Sequence, residues 1–259
     1  MNQTHHPERL LNHPDVLDSL RAGRHQEFVA FLQSKVCLAT RRTIGYEALL
    51  RWLPQPGIAL SPELTLPAIE AHGMLYDIWL IMLKQACALL RRTPAERRSL
   101  HPISINLHPG LLSDPLLAAN AAALAANMGV EPSLIEFEIV ETGKISDMEF
   151  AASSIIDLRE AGFKVSLDDF GVGYASLLHL AYLPVTGVKI DRAFLSAPQG
   201  EPIIRHLAAL AKEMGMTIVV EGIETEEQAG TAFRAGAGIG QGFLFSRPRH
   251  ADEVWHRHI

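Results

Sequence analysis

Phe163-Lys164-Val165-Ser166-Leu167-Asp168-Asp169 decides the fold. Apolar and polar residues alternate at the period of a strand, and the run then ends in two adjacent carboxylates. Phe170-Gly171-Val172-Gly173 follows, and a helix is expected to begin near Tyr174, so the stretch reads as one βα unit. The same order recurs on both sides. Ile103–Leu107 precedes a helix around Asp114–Met128, and Leu134–Val140 precedes Ser146–Ala161. Gly187–Ile190 precedes Glu201–Met214, and Thr217–Val220 precedes Thr225–Ala235. Gln241–Phe245 reads as the last strand, with a closing helix through Glu253-Val254-Trp255. Upstream, Glu27–Leu38 and Thr43–Trp52 are joined by the polar turn Thr40-Arg41-Arg42, which is hairpin logic and makes this pair antiparallel. Pro54-Gln55-Pro56-Gly57 breaks the chain before helices near Pro62–His72 and Tyr76–Arg92. Strands alternating with helices in this number predict an α/β fold, a TIM-like (β/α)8 barrel with an antiparallel first strand pair.

The chain has 259 residues, enough for one large domain. Residues 1–25 read as a lead-in, with a short amphipathic helix from Pro14 to Leu20 that has a proline start and a glycine stop at Gly23. Residues 26–259 read as the single main domain. A formal charge of -6 argues against a general nucleic-acid binder, which would carry a basic face. Cys37 and Cys87 lie in unrelated segments and read as small buried apolar residues rather than a disulfide framework. Met1–Pro7 is polar, with no signal-peptide pattern. The longest apolar stretch, Ile78–Leu90, is interrupted by Lys84 and Gln85 and is too short to span a bilayer. The expectation is therefore no membrane association and a cytoplasmic location.

Seven strand-like runs end in or carry an acid, an amide or a lysine: Glu47, Asn106, Glu138, Asp168-Asp169, Lys189, Glu221 and Gln241. Burying one such group without a partner is costly. A series at the same end of parallel strands implies one polar centre at the carboxyl face of the barrel. Oxygen ligands in this number suit a hard divalent cation or a pair of them.

Each residue also has a plainer reading. Asp168 and Asp169 repel one another, which fits either a bridged metal or an exposed loop start with a helix cap. Glu136 and Glu138 share one face, as site residues or as solvent residues of a half-exposed strand. Arg51 lies on the strand face of Glu47 and would pair with it or reach a phosphate. Lys189 would pair with Asp191 or a site acid, or serve an anionic substrate. Glu224 reads as a capping or dipole partner of the next helix. Twelve histidines show no zinc-ligand spacing, and His108 is notable for lying two residues past Asn106.

These residues also resemble a known family. Glu47-Ala48-Leu49-Leu50-Arg51-Trp52, Asn106-Leu107, Glu138-Ile139-Val140-Glu141, Asp168-Asp169-Phe170-Gly171-Val172-Gly173-Tyr174, Lys189-Ile190-Asp191-Arg192, Glu221-Gly222-Ile223-Glu224 and Gln241-Gly242-Phe243 follow the order seen in EAL-domain cyclic-di-GMP phosphodiesterases. The resemblance runs from about Gln33 to the end. It implies metal-dependent hydrolysis of cyclic di-GMP to linear pGpG in bacterial second-messenger signalling, without a GGDEF cyclase or sensor domain. It implies two ions, Mg2+ or Mn2+, one on Glu47, Asn106, Glu138 and Asp168, the other on Asp168, Asp169 and Glu221. Lys189 would hold or polarise the attacking water, and Glu221 would take its proton. Gln33, Leu49, Arg51 and Gln241 would position the substrate, and Glu141 would tether the loop Phe170–Leu178. A homodimer formed near that loop and a regulatory protein partner are further implications, and control of biofilm formation is the usual output.

The sequence departs from the family pattern at Ser34, His108, Val172, Ala175 and Gly238. None of these is a metal ligand or the lysine. The alternative is a catalytically weak or inactive cyclic-di-GMP receptor acting through a protein partner. Receptors of that kind lack a ligand or the lysine that this chain retains.

Overall fold

The computed structural model describes residues 14–55, 57–98, 101–140, 145, 147–171 and 177–255. Ten strands form one sheet: β1 (Phe28–Cys37), β2 (Thr43–Gln55), β3 (Ile58–Leu60), β4 (Ile103–Leu107), β5 (Ile135–Ile139), β6 (Lys164–Phe170), β7 (Gly187–Ile190), β8 (Thr217–Val220), β9 (Ile239–Gln241) and β10 (Arg249–His250). Eight of them close into a ring in the order β1-β2-β4-β5-β6-β7-β8-β9, with β9 pairing back onto β1, while β3 and β10 are appended at β2 and β1. β1 runs antiparallel to both neighbours, and every pairing from β2 through β4 round to β9 is parallel. The expected barrel with an antiparallel first pair is the observed architecture.

Both faces of the ring strands are covered, which explains their alternation. Ile103, Ile105 and Leu107, Ile135, Phe137 and Ile139, and Val165 and Leu167 are buried in one apolar core. Phe137, for example, packs against Trp79 of the helix Leu75–Arg92. The intervening positions, Ser104, Asn106, Glu136, Glu138, Ser166 and Asp168, then fall on the lumen face by the strand period. The N-terminal helix Pro14–Arg21 contributes Val16, Leu17 and Leu20 to the same core.

Several boundaries differ from the sequence reading. β2 continues through Pro54 to Gln55, which is tolerated because its far end pairs only with the short hairpin strand β3. The last ring strand is Ile239–Gln241, not Gln241–Phe245. Leu244 instead donates to the Ile223 carbonyl of the segment after β8, and Phe245 closes a turn onto the Gly242 carbonyl. The helix expected near Tyr174 runs from Leu177 to Tyr182, and Tyr174 itself lies outside the described residues. Cys87 is buried as expected, but Cys37 is half-buried, where hydrogen bonding with Thr40 lowers its thiol pKa.

Candidate metal and active site

The carboxyl ends of the strands converge on one polar cluster. Glu47 is buried on β2, opposite Gln33 of β1 in register. Glu138 is completely buried on β5, beside Asn106 of β4, so the reading of Glu138 as a solvent residue is set aside. The pair Asp168-Asp169 reaches the site by a local irregularity. Adjacent residues of a regular strand face opposite sides, but the register of β6 against β7 shifts between Leu167 and Phe170. Asp169 there adopts φ of 49°, and both carboxylates join the site. Gly222, with φ of 62°, turns the chain directly after Glu221, and a Cβ at that position would lie 2.3 Å from that of Arg192. The capping box of Thr225 and Gln228 then starts the next helix, so the cap belongs to Thr225 rather than Glu224.

Two groups of oxygens emerge. Ligand atoms of Glu47, Glu138 and Asp168 lie within 4.8 Å of one another, and so do those of Asp168, Asp169 and Glu221. Lys189 rises between them. Its Nζ is 2.7 Å from Glu138, 2.7 Å from Glu221, 3.0 Å from Asp168 and 3.4 Å from Glu47. The lysine thus pairs with site acids, while Asp191 accepts from the backbone N–H of Ala193 instead. Gln241 Nε2 donates to Glu47 at 2.6 Å and to Gln33 at 3.0 Å, and Gln33 in turn donates to the Ser246 carbonyl at 3.0 Å.

Electrostatics separates these acids. Burial raises the Glu138 carboxyl, but the ammonium groups of Lys189 and Lys35 outweigh it and bring the pKa down to about 2. Glu47 and Glu221 are raised, first by burial and then by neighbouring acids, against the opposing pull of Lys189. Burial also works against the charge of Lys189, yet Asp168, Glu138, Glu221 and Glu47 together hold its pKa well above the ordinary lysine value. Four of the site carboxylates, Glu47, Glu138, Asp168 and Glu221, thus share Lys189, and Glu138 also meets Lys35. Asn106 Oδ1 is buried and has no hydrogen-bond partner among the described residues. This oxygen-rich, negatively charged donor set fits a hard divalent cation.

The cluster forms the floor of a cavity of about 760 Å3 that is also lined by Leu49, His108, Trp79 and Met82. Its size is that of a site for a large small-molecule ligand. His108 Nδ1 accepts from the Gly110 N–H, and Nε2 faces Glu70 at 3.4 Å. Arg51 and Glu47 form no ion pair among the described residues. Arg51 donates to the Leu50 carbonyl at 2.7 Å, and its guanidinium lies over the Phe31 ring at 5.7 Å. Glu141 lies outside the described residues, as do Val172 and Ala175. The sequence reading missed Lys35, which meets both Glu136 and Glu138. Its signal was its place two residues after Gln33 on the same strand face.

Known proteins share this arrangement of chain and fold. Cyclic di-GMP phosphodiesterase RocR of Pseudomonas aeruginosa is 35% identical over 240 residues, covering 91% of this chain and 61% of RocR. MucR of the same organism, a bifunctional diguanylate cyclase/cyclic di-GMP phosphodiesterase, is 32% identical over 92% of this chain and 35% of its own length. The chain thus spans less than two thirds of either relative. Among solved structures, the PaMucR phosphodiesterase in complex with c-di-GMP superposes with a TM-score of 0.83 at 31% identity, covering 92% of this chain and 99% of that one. BlrP1 of Klebsiella pneumoniae, in a manganese/c-di-GMP complex, gives a TM-score of 0.75 at 30% identity over 86% of this chain and 56% of that one. Residues 16–248 match the EAL domain family, and the chain belongs to it.

Proposed function

We propose that the chain hydrolyses cyclic di-GMP to linear pGpG. The observation that carries this reading is the convergence of Glu47, Glu138, Asp168, Asp169 and Glu221, with their ligand atoms in two triads around Lys189, where Glu47, Asp168, Asp169 and Glu221 line a cavity large enough for a dinucleotide. Relatives named for this activity, and similar structures holding c-di-GMP, support it.

Glu47, Asn106, Glu138 and Asp168 would hold one ion, Mg2+ or Mn2+, and Asp168, Asp169 and Glu221 a second. When bound, such ions lower the pKa of a water and offset charge on the phosphate oxygens. Lys189, held protonated by its acid neighbours, orients the attacking water by donating to its oxygen. Glu221, a carboxylate 2.7 Å from the Lys189 ammonium, takes the water proton. Water adds across one P–O bond, leaving a phosphomonoester on one side and a hydroxyl on the other. Gln33 and Gln241 are joined by a hydrogen bond and position the substrate together with Leu49. Arg51 reaches a substrate phosphate once its side chain leaves the Leu50 carbonyl.

The proposed active form is a homodimer. The contacting helices Met148–Glu160 and Leu177–Tyr182 expose the apolar side chains of Phe150, Ile156, Leu177, Leu178 and Tyr182, which self-association would cover. No helix among the described residues is long and apolar enough to cross a membrane. The proposed location is cytoplasmic, in keeping with the free thiols of Cys37 and Cys87.

The test is turnover of cyclic di-GMP followed by chromatography with Mn2+ or Mg2+, beside Glu47→Ala. Appearance of pGpG that is lost in the variant is expected. Bound but intact dinucleotide with the wild-type protein would instead mark a receptor.

A further inference from the structure

Beneath the carboxylate cluster, a second cavity of about 150 Å3 opens within the barrel, lined by Lys35, Gly45, Ser104, Glu136, Lys164 and Thr217. Gly45, opposite Lys35 in register, adds no side chain to this layer. Lys35 extends from β1 to β5, which is separated from it in the ring by β2 and β4. Its Nζ meets Glu136 Oε2 at 2.8 Å and Glu138 Oε1 at 2.6 Å.

The two oxygens of Glu138 are therefore divided between two lysines, with Oε1 on Lys35 and Oε2 on Lys189 at 2.7 Å. The two contacts differ in kind. Lys189 shares its charge with Glu47, Asp168 and Glu221, whereas Lys35 is braced from below by the half-buried Glu136. Glu138 is completely buried, so loosening one contact would leave part of its charge uncompensated. A carboxylate with one oxygen tied down keeps its other oxygen aimed in one direction.

We infer that Lys35, braced by Glu136, is a positioning residue that ties down Glu138 Oε1 and aims Oε2 at the metal-binding cluster. This rests on reading that cluster as a metal site. The charge of Lys35 and its geometry have opposite consequences, which makes the role separable. Lys35 repels a divalent ion, so removing its charge alone would tighten metal binding. Losing the anchor would weaken it.

Mn2+ alone is titrated into the wild type, Lys35→Met and Lys35→Arg, and the electron paramagnetic resonance signal of free Mn2+ gives the affinity. Lys35→Met is expected to bind Mn2+ about 10-fold or more weakly, the usual cost of a lost support behind a ligand. Lys35→Arg keeps the charge but moves the donors, so a smaller loss is expected. Unchanged or tighter binding in Lys35→Met would overturn the inference. If that variant fails to fold, wild-type affinity in Lys35→Arg overturns it equally. A wild-type protein that binds no Mn2+ would sink the metal reading and this inference together. Wild-type binding with unaffected variants sinks the inference alone.

Discussion

Asn106 donates through Nδ2 to Glu47 Oε1 at 3.2 Å, and this bond leaves the amide's own Oδ1 buried without a hydrogen-bond partner among the described residues. An unsatisfied buried acceptor costs about 1–3 kcal/mol, which a bound cation would recover. Replacing Asn106 by Ala should therefore destabilise the metal-free protein only modestly, because the unsatisfied oxygen leaves with the side chain while the buried Glu47 Oε1 loses its donor. The stabilisation conferred by Mn2+ should shrink. Thermal melting with and without Mn2+ measures both, and an undiminished Mn2+ shift in Asn106→Ala would count against Asn106 as a ligand.

Lys189 is the counter-charge for four acids, among them the buried Glu47 and Glu138. Lys189→Met removes it and leaves buried charges uncompensated, a loss of about 3–5 kcal/mol in the metal-free state. Mn2+ should restore part of that stability without restoring turnover, since the water loses its donor. Urea titration in EDTA and in Mn2+ is the measurement. Equal stability of variant and wild type in EDTA would contradict the assignment.

Glu47 and Glu221 have carboxyl pKa values raised above the unfolded value of 4.5, first by burial. The folded, metal-free chain therefore binds more protons than the unfolded chain, and these two groups make stability fall as pH rises above that value. Glu138 has the opposite sign. Its pKa of about 2 contributes stability above 4.5 that is lost as pH falls toward 2. Denaturation in EDTA should show the protein losing stability as pH rises above the unfolded carboxylate value of 4.5, with Mn2+ flattening that loss. Glu221→Gln should weaken the slope, and an unchanged slope would place its origin elsewhere.

Gly222 lets the chain turn immediately after Glu221. In Gly222→Ala the new Cβ would meet Arg192, in a backbone region that costs a non-glycine residue about 1–2 kcal/mol. The expected outcome is a larger fall in kcat than in substrate affinity, because the displaced group is the proton acceptor. Steady-state kinetics separates the two, and a fall in affinity alone would argue against that role for Glu221.

The ring of strands was legible because its two periodicities do not conflict. Ile103-Ser104-Ile105-Asn106-Leu107 alternates cleanly, and in a closed barrel the polar phase faces the lumen rather than water. That is also why Glu138 read equally well as a solvent residue: alternation alone does not say whether the second face is a lumen or a surface. Gln241 was found but misplaced within its strand. Phe243, Leu244 and Phe245 look more strand-like than Gly238-Ile239-Gly240, yet Gly240 fits beside Leu38 and Ile223 where a Cβ would lie 2.7 Å from each. Lys35 escaped notice because its partners sit on β5, a hundred residues away in sequence, and only closure of the barrel brings them together.

The most direct measurement is anomalous diffraction at the manganese edge from crystals of the protein grown with Mn2+. Two peaks about 3.5–4 Å apart, the usual spacing of a two-metal site, are expected on either side of Asp168, one near Glu47, Asn106 and Glu138 and the other near Asp169 and Glu221. Crystals in which these carboxylates stay on Lys189 with no manganese between them would contradict the metal-dependent reading at its centre.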